Sequence, residues 1–242
     1  MRKAALYVHG RIVLADSHFQ AYQKLTEDEK EDDLVSGIFD TDTEEFDGEQ
    51  PEDHFYDKEM VFIRHGLAED ASEPDPDLSD LGIQQVHELA SLLEKTFEPK
   101  QFFGITSPLL RCLRTSLILH ELLHIDFEIR PEVMEIALFL QQNQQYRLQN
   151  HHSKFPQFNW PTREDWVLNK EDPNEFCNRT KQALQHFPHN CIVVTHLGFI
   201  CNITQLAAPK KKLEIIPPAS ITYICKQDLK CLGRTNEEFV ES

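Results

Sequence analysis

Arg64 and His65 stand side by side at the end of an apolar run, Met60 to Ile63, directly before Gly66. A second apolar run, Cys191 to Val194, ends on Thr195-His196 and reaches Gly198 two residues later. A neutral imidazole is a nucleophile near physiological pH, because its ordinary pKa is about 6.5. A guanidinium holds phosphoryl oxygens through paired, charge-assisted hydrogen bonds. The two residue types together suit phosphoryl transfer: His65 takes the phosphorus and Arg64 holds the oxygens. A third short run, Phe103 to Ser107, feeds a helix whose first turn carries Arg111. Three such ends would bring two histidines and two arginines together, and an anion near that helix start would meet its positive dipole end.

The elements that must position these residues follow from periodicity. Short buried runs bounded by glycine or proline read as strands, and they alternate with stretches of helical spacing. That alternation predicts an α/β fold, a three-layer α/β/α sandwich around a central, mostly parallel sheet. In such sheets ligands bind at the carboxyl ends of the strands, where His65 and His196 both fall. Ser79 is the expected N-cap of a helix to about Lys95, with Val86, Leu89, Leu92 and Leu93 on its apolar stripe. Ser107-Pro108 is expected to open the Arg111 helix, with proline at its first position, and that helix should run to about Leu123. Further strands are expected at Phe127–Arg130 and Ile221–Cys225, and further helices at Asp172–Phe187 and Gly198–Leu206.

The 242 residues carry a net charge of −17. This disfavours nucleic-acid backbones and anionic membranes as partners. The acid is concentrated: residues 1–60 hold 17 Asp/Glu against 6 Lys/Arg, a net of −11. Residues 1–58 are therefore expected to form a small acidic N-terminal appendage, with strands at Ala4–Val8 and Arg11–Ala15 and a helix from His18 to about Leu34. A protein partner for this segment is one reading, and a solvated flap is the other. Residues 59–242 form the main domain, with a lid-like insertion at about 138–173 rich in Gln, Asn and aromatic residues. No run of 18 apolar residues exists, and the apolar start of the chain is too short for a signal peptide, so a cytoplasmic protein without a membrane span is expected. Cys112, Cys177, Cys191, Cys201, Cys225 and Cys231 form no C-x-x-C pair and are expected to be reduced and mostly buried.

Five segments carry a family resemblance. They are Arg64-His65-Gly66, the Leu78-to-Gln85 helix start (Leu-Ser-Asp-Leu-Gly-Ile-Gln-Gln), Ser107 to Thr115 with Arg111 at its centre, Val193 to Gly198 around His196, and Ala219-Ser220-Ile221. Their types and order resemble the histidine phosphatase superfamily, which includes phosphoglycerate mutases and bacterial phosphohistidine phosphatases. Two departures stand out: Cys112 occupies a usual alanine and Leu197 a usual glycine. The resemblance implies a phosphohistidine on His65, phosphate binding by Arg64, Arg111 and His196, and no metal or other cofactor. It further implies a carboxylic acid after the strand at Phe127, for which Glu135 is the choice and Glu132 the alternative. The implied activity is metal-independent hydrolysis of phosphate monoesters or phosphohistidine, on a phosphorylated small molecule or phosphoprotein. Mutase activity is the runner-up, since Leu67-Ala68-Glu69-Asp70 replaces the Glu-Ser-x-x-Asn type of run usual in mutases. A binding protein without turnover is a third reading.

One motif competes. His120-Glu121-Leu122-Leu123-His124 has the H-E-x-x-H form that binds zinc on a helix. It would need a third ligand, such as His151 or His152. At about 100° per residue, His120 also falls opposite Arg111 on the same helix.

Overall fold

A computed structural model describes residues 58–69, 75–136, 151–161, 171–207 and 216–225, together with the backbone of short strands at 4–8, 11–15, 145–147, 167–169 and 228–232. The expected helix at 18–34 and residues 138–144, 148–150, 162–166 and 170 of the lid-like insertion lie outside the described residues. The chain divides into two compact units, Met1–Glu52 and Asp53–Ser242. In the first, β1 (Ala4–Val8) pairs antiparallel with β2 (Arg11–Ala15), the two strands expected around His9-Gly10.

The second unit is built on a six-stranded sheet. Its strands are β3 (Glu59–Arg64), β4 (Phe103–Thr106), β5 (Phe127–Ile129), β8 (Asn190–Thr195), β9 (Ile221–Cys225) and β10 (Asp228–Leu232), in the order β10-β9-β3-β8-β4-β5. The four strands β3, β8, β4 and β5 are parallel, while β9 and β10 are antiparallel additions at one side. The fold is the expected α/β class with a mostly parallel sheet. Two pairings escaped the sequence: the edge strand β10, and the small antiparallel pair β6 (Gln145–Arg147) and β7 (Val167–Asn169) inside the insertion.

Helices cover both faces, and the strands show it residue by residue. Successive side chains of a strand point to opposite faces. Val61 and Ile63 join Ile192 and Val194 in one core with Val86, Leu89, Leu93 and Leu113, from helices α1 (Asp80–Thr96) and α2 (Leu110–Leu123). Phe62, on the other face, meets Phe187 just beyond α3 (Pro173–Gln185), and Phe176 of α3 meets Phe199 of α4 (Leu197–Ala207). Met60 through Ile63 are all fully buried, as expected of a parallel strand covered on both sides.

The helix starts carry their own chemistry. Ser79 caps α1 by accepting from the Gly82 N–H at 3.1 Å. Asp172 and Glu175 form a reciprocal capping box on α3. The start of α2 differs from the sequence expectation. Pro108 is not its first residue; the helix begins at Leu110, and Leu109 precedes it in extended conformation with no side-chain cap. The reason is that β4 does not release the chain at once: the Ser107 N–H still pairs with the Val194 carbonyl at 3.1 Å. The uncapped Leu110 N–H is instead met by Asp75, 35 residues away in sequence, whose Oδ1 lies 2.6 Å from it.

The sheet edge at β5 is covered from outside. Asn159 exchanges backbone bonds with it, accepting from the Ile129 N–H at 3.0 Å and donating to the Phe127 carbonyl at 3.0 Å. The segment 151–161 thereby protects an otherwise open edge. Of the cysteines in the described core, Cys112 and Cys191 are buried, whereas Cys177, Cys201 and Cys225 are partly exposed, and all five are free thiols. The expectation of mostly buried thiols was too broad, since Cys177, Cys201 and Cys225 all stand at partly exposed positions. Among the described residues, no helix is long and apolar enough to cross a membrane.

Candidate active site

Strand register explains why the two histidines are neighbours. Arg64 of β3 pairs with Thr195 of the parallel strand β8. The next residue on each strand is therefore a histidine, and adjacent strands lie about 4.8 Å apart. The His65 and His196 rings accordingly sit with centroids 5.2 Å apart, edge to face. The His65 N–H also donates to the Thr195 carbonyl at 3.0 Å, continuing the pairing one step past the strands. On the far side of β8, Thr106 of β4 pairs with Val194, so Ser107 reaches the same level. Its hydroxyl lies 2.9 Å from His196 Nε2.

The turn after His65 is held by α1. The Leu67 carbonyl accepts from the Ser79 N–H at 2.9 Å, and Gln85 Oε1 accepts from the Leu67 N–H at 3.0 Å. A Cβ on Gly82 would stand 2.0 Å from the Leu67 carbonyl oxygen, and one on Gly66 would stand 2.6 Å from the Gly82 carbonyl oxygen. The Leu-Ser-x-x-Gly-x-x-Gln pattern is thus a docking seat for the loop that presents His65. Thr115 adds a contact from α2, accepting from the Gly66 N–H at 3.2 Å.

His65 is fixed in one tautomer by two separate bonds. Its Nδ1 lies 2.7 Å from the Gly66 carbonyl, which can only accept, so Nδ1 carries the proton. Its Nε2 lies 3.2 Å from Arg111 Nε, which can only donate, so Nε2 presents its lone pair. Burial and the adjacent charges of Arg111 and Arg64 hold the His65 pKa well below the usual histidine value. His196 is fully buried and is likewise held neutral by burial and by Arg111. Arg64 is anchored by donation from Nη1 to the Ile216 carbonyl at 2.7 Å. Ala219, beside that anchor, adopts a left-handed conformation at φ 53°, and its N–H bonds the carbonyls of Arg64 and His65.

Glu135 follows a short 3-10 turn at Pro131–Val133. Its Oε2 accepts from the Gly198 N–H at 3.1 Å and its Oε1 from the Ile136 N–H at 3.0 Å. Burial raises its pKa above the usual carboxylate value, against the pull of those backbone bonds and of Arg111 and Arg64. Glu132, the other candidate, is exposed. Leu197 opens α4, and it is not among the positive-φ residues, so the backbone there does not require glycine. The close approach comes one residue on: a Cβ at Gly198 would stand 2.4 Å from Glu135 Oε1, the end of a flexible side chain.

The remaining candidates fall elsewhere. The α2 N-terminus does not offer its first N–H to a ligand, because the Asp75 carboxylate occupies it. Arg114 turns to Asp77, with Nε 3.1 Å from Oδ2, and leans over the Phe155 ring. His124 has left the helix, capping it in left-handed conformation at φ 58°, and His120 Nδ1 bonds the Ile125 carbonyl. His151 faces Asp75, with 3.3 Å between Nε2 and Oδ2. Among the described residues, no group of three or more His, Cys, Asp or Glu side chains is placed to hold a metal ion, the H-E-x-x-H histidines included. Asp75, Ser107 and Arg179 are the residues around the site that sequence reasoning passed over. Asp75 and Arg179 act across long sequence separations, and Ser107 was read as a helix start.

A pair of histidines and a pair of arginines at the carboxyl ends of parallel strands, with a half-buried carboxyl beside them, is a site of the phosphatase or mutase type. Residues 60–231 match the family model of the histidine phosphatase superfamily, branch 1, and the chain belongs to that superfamily. No curated protein matches the chain by sequence. Among solved structures it is similar to the mycobacterial glucosyl-3-phosphoglycerate phosphatase, with 16% identity, a TM-score of 0.47, and 69% of this chain and 89% of that chain covered. It is also similar to TTHB049 from Thermus thermophilus, with 17% identity, a TM-score of 0.46, and 68% and 91% covered.

Proposed function

We propose that the protein hydrolyses phosphate monoesters through a phosphohistidine on His65, acting on a phosphorylated small molecule or a phosphoprotein. The observation that carries this reading is the doubly determined tautomer of His65, which leaves the Nε2 lone pair facing the Arg111 guanidinium. In the first step Nε2 attacks phosphorus, an N–P bond forms, and the ester P–O bond breaks. The departing oxygen takes the proton of Glu135, whose raised pKa suits a general acid. Arg64 and Arg111 hold the phosphoryl oxygens, and neutral His196 contributes one N–H. Positioning and charge stabilisation of this kind supply most of what phosphoryl transfer requires. In the second step the Glu135 carboxylate takes a proton from water. That water attacks phosphorus, the N–P bond breaks, and inorganic phosphate leaves with His65 restored.

No step in this scheme calls on a metal. The test is turnover of p-nitrophenyl phosphate by the wild type, its loss in His65→Ala, and its persistence with chelator. Alkaline quench during turnover should trap a phosphoenzyme that is stable to alkali and lost on acid treatment. Turnover that survives His65→Ala would overturn the proposal, and activity that needs added metal would exclude its metal-independent form. Transfer of the phosphoryl group to a second hydroxyl of the substrate, without release of phosphate, would favour the mutase reading instead. Binding of phosphate without any turnover would favour the non-catalytic reading.

A further inference from the structure

Three consecutive carbonyls lead into Glu135, and each is held by a side chain from another element. Arg179, in the middle of α3, donates from Nη1 to the Glu132 carbonyl at 2.7 Å and to the Met134 carbonyl at 3.0 Å. Between them, the Thr195 hydroxyl of β8 donates to the Val133 carbonyl at 2.7 Å. A 3-10 turn leaves carbonyls without intrahelical partners at its end, and a guanidinium is well shaped to collect two of them. The Arg179 guanidinium is itself fixed. Nε and Nη2 grip both oxygens of Glu171 at 2.8 and 2.6 Å, and the group lies 4.8 Å from the centre of the Phe176 ring. Glu171 follows strand β7 by two residues, at the exit of the insertion.

We infer that Arg179 is a positioning residue for Glu135, holding the acid's turn so that the carboxyl meets the Gly198 N–H beside the two catalytic histidines. The inference rests on the proposed role of Glu135 as proton donor. A carboxyl must stand within hydrogen-bond reach of the leaving oxygen to donate, and a misplacement of about 1 Å costs on the order of 10²-fold in rate. The backbone of residues 132–134 is the only covalent lead-in to Glu135 from its N-terminal side. Arg179 holds two of those three carbonyls. The Glu171 grip links the same guanidinium to the end of the insertion, so a movement of the insertion would reach the acid through one side chain.

Two substrates separate positioning from mere stability. The p-nitrophenolate of p-nitrophenyl phosphate departs without a proton, whereas the alkoxide of glycerol 2-phosphate requires one. Arg179→Met keeps the stem over Phe176 and removes all four polar contacts. We expect it to lower kcat/KM, which covers only the steps up to the phosphoenzyme, by about 10- to 100-fold on glycerol 2-phosphate, part of the 10²–10⁴-fold that general acids supply, with little change in kcat/KM on p-nitrophenyl phosphate. Arg179→Lys should fall between. Glu171→Gln, which keeps the arginine and the side-chain volume, should shift the ratio in the same direction by less.

Equal loss on both substrates, or no loss on either, would overturn the inference. If Arg179→Met does not fold, Glu171→Gln decides: a selective loss on glycerol 2-phosphate supports the inference, and an unchanged substrate ratio overturns it. Glu135→Gln, run in the same assays, tells the two possible failures apart. If it also fails to discriminate between the substrates, the acid assignment is wrong. If it discriminates and Arg179→Met does not, only the positioning role is lost. In the double variant, Arg179→Met should add almost nothing to the selective loss caused by Glu135→Gln, as expected for residues acting through one group.

Discussion

Arg111 donates its Nε–H to His65 Nε2 across 3.2 Å, so the two residues meet through the lone pair that the proposed reaction uses. In the free protein this bond holds the imidazole neutral and aimed. A phosphoryl group entering the site must take over both partners, the guanidinium for its oxygens and the lone pair for its phosphorus. Arg111→Lys keeps the charge but has neither the planar fork nor an Nε donor. It should lower kcat/KM by about 10²-fold, the scale of losing one preorganised donor to a transition-state oxyanion. Nitrogen-15 spectra of the ring provide a second check. His65 should be Nδ1-protonated in wild type and in Arg111→Lys, because the Gly66 carbonyl holds that proton in both. A neutral His65 protonated on Nε2 would remove the basis of the mechanism.

The pH profile follows from two opposite shifts. His65 is depressed by burial and by Arg111 and Arg64, so its nucleophilic form is already present below pH 6.5, the ordinary value. The ascending limb of kcat/KM should lie on the acid side of that value. Glu135 is raised by burial, so its acid form persists above the usual carboxylate range, and the descending limb should lie above 4.5. Together they make the active window for an alkyl phosphate wider than the ordinary values of the two groups would allow. The substrate's own second ionisation, near pH 6, adds to the profile. Comparison with Glu135→Gln isolates the enzyme's part: the residual activity should lose the descending limb that Glu135 sets. A limb of the same position and shape in both proteins would show that another group sets it.

Much of the site was legible because the sheet imposes it. Residues 60–65 and 191–196 read as buried strands with a histidine just past each end, and parallel pairing of Arg64 with Thr195 leaves those histidines little choice but adjacency. The cap at Ser79 was legible for the same local reason, since a cap is a contact over three residues, whereas Asp172 was read as the start of its helix and not as the cap it is. What escaped was non-local. Leu110 takes its cap from Asp75, and the Glu135 turn takes its support from Arg179, 45 to 47 residues away. Periodicity carries no signal of such partners. The choice of Glu135 came from family resemblance, whereas its environment comes from Gly198, the glycine that remains beside the anomalous Leu197.

Gly82 provides a stability test of the seat that holds His65. A methyl group there would meet the Leu67 carbonyl oxygen at 2.0 Å, and that oxygen is backbone, already fixed by the Ser79 N–H. It cannot rotate away as a side chain would. Gly82→Ala should therefore destabilise the folded protein by about 1–3 kcal/mol, the usual cost of overpacking, despite alanine's better helix propensity. Thermal or urea unfolding measures it. An unchanged or raised stability would show that the Leu67 loop yields easily.

Gly198→Ala makes the complementary case. The added methyl would stand 2.4 Å from Glu135 Oε1 and 3.2 Å from its Cδ, so the obstacle is a carboxyl at the end of a flexible side chain. No positive φ makes glycine obligatory at this position. Alanine also favours the helix by up to about 1 kcal/mol over glycine, so the α4 backbone gains where Gly82→Ala loses. The carboxyl is then expected to swing aside, giving up the Gly198 N–H that it accepts at 3.1 Å. Stability should change little, while kcat/KM on glycerol 2-phosphate falls by about 10-fold or more and kcat/KM on p-nitrophenyl phosphate is nearly spared, as expected when proton donation to the leaving group is lost in the first step. Retained activity on both substrates would mean that Glu135 does not work from the position it occupies here.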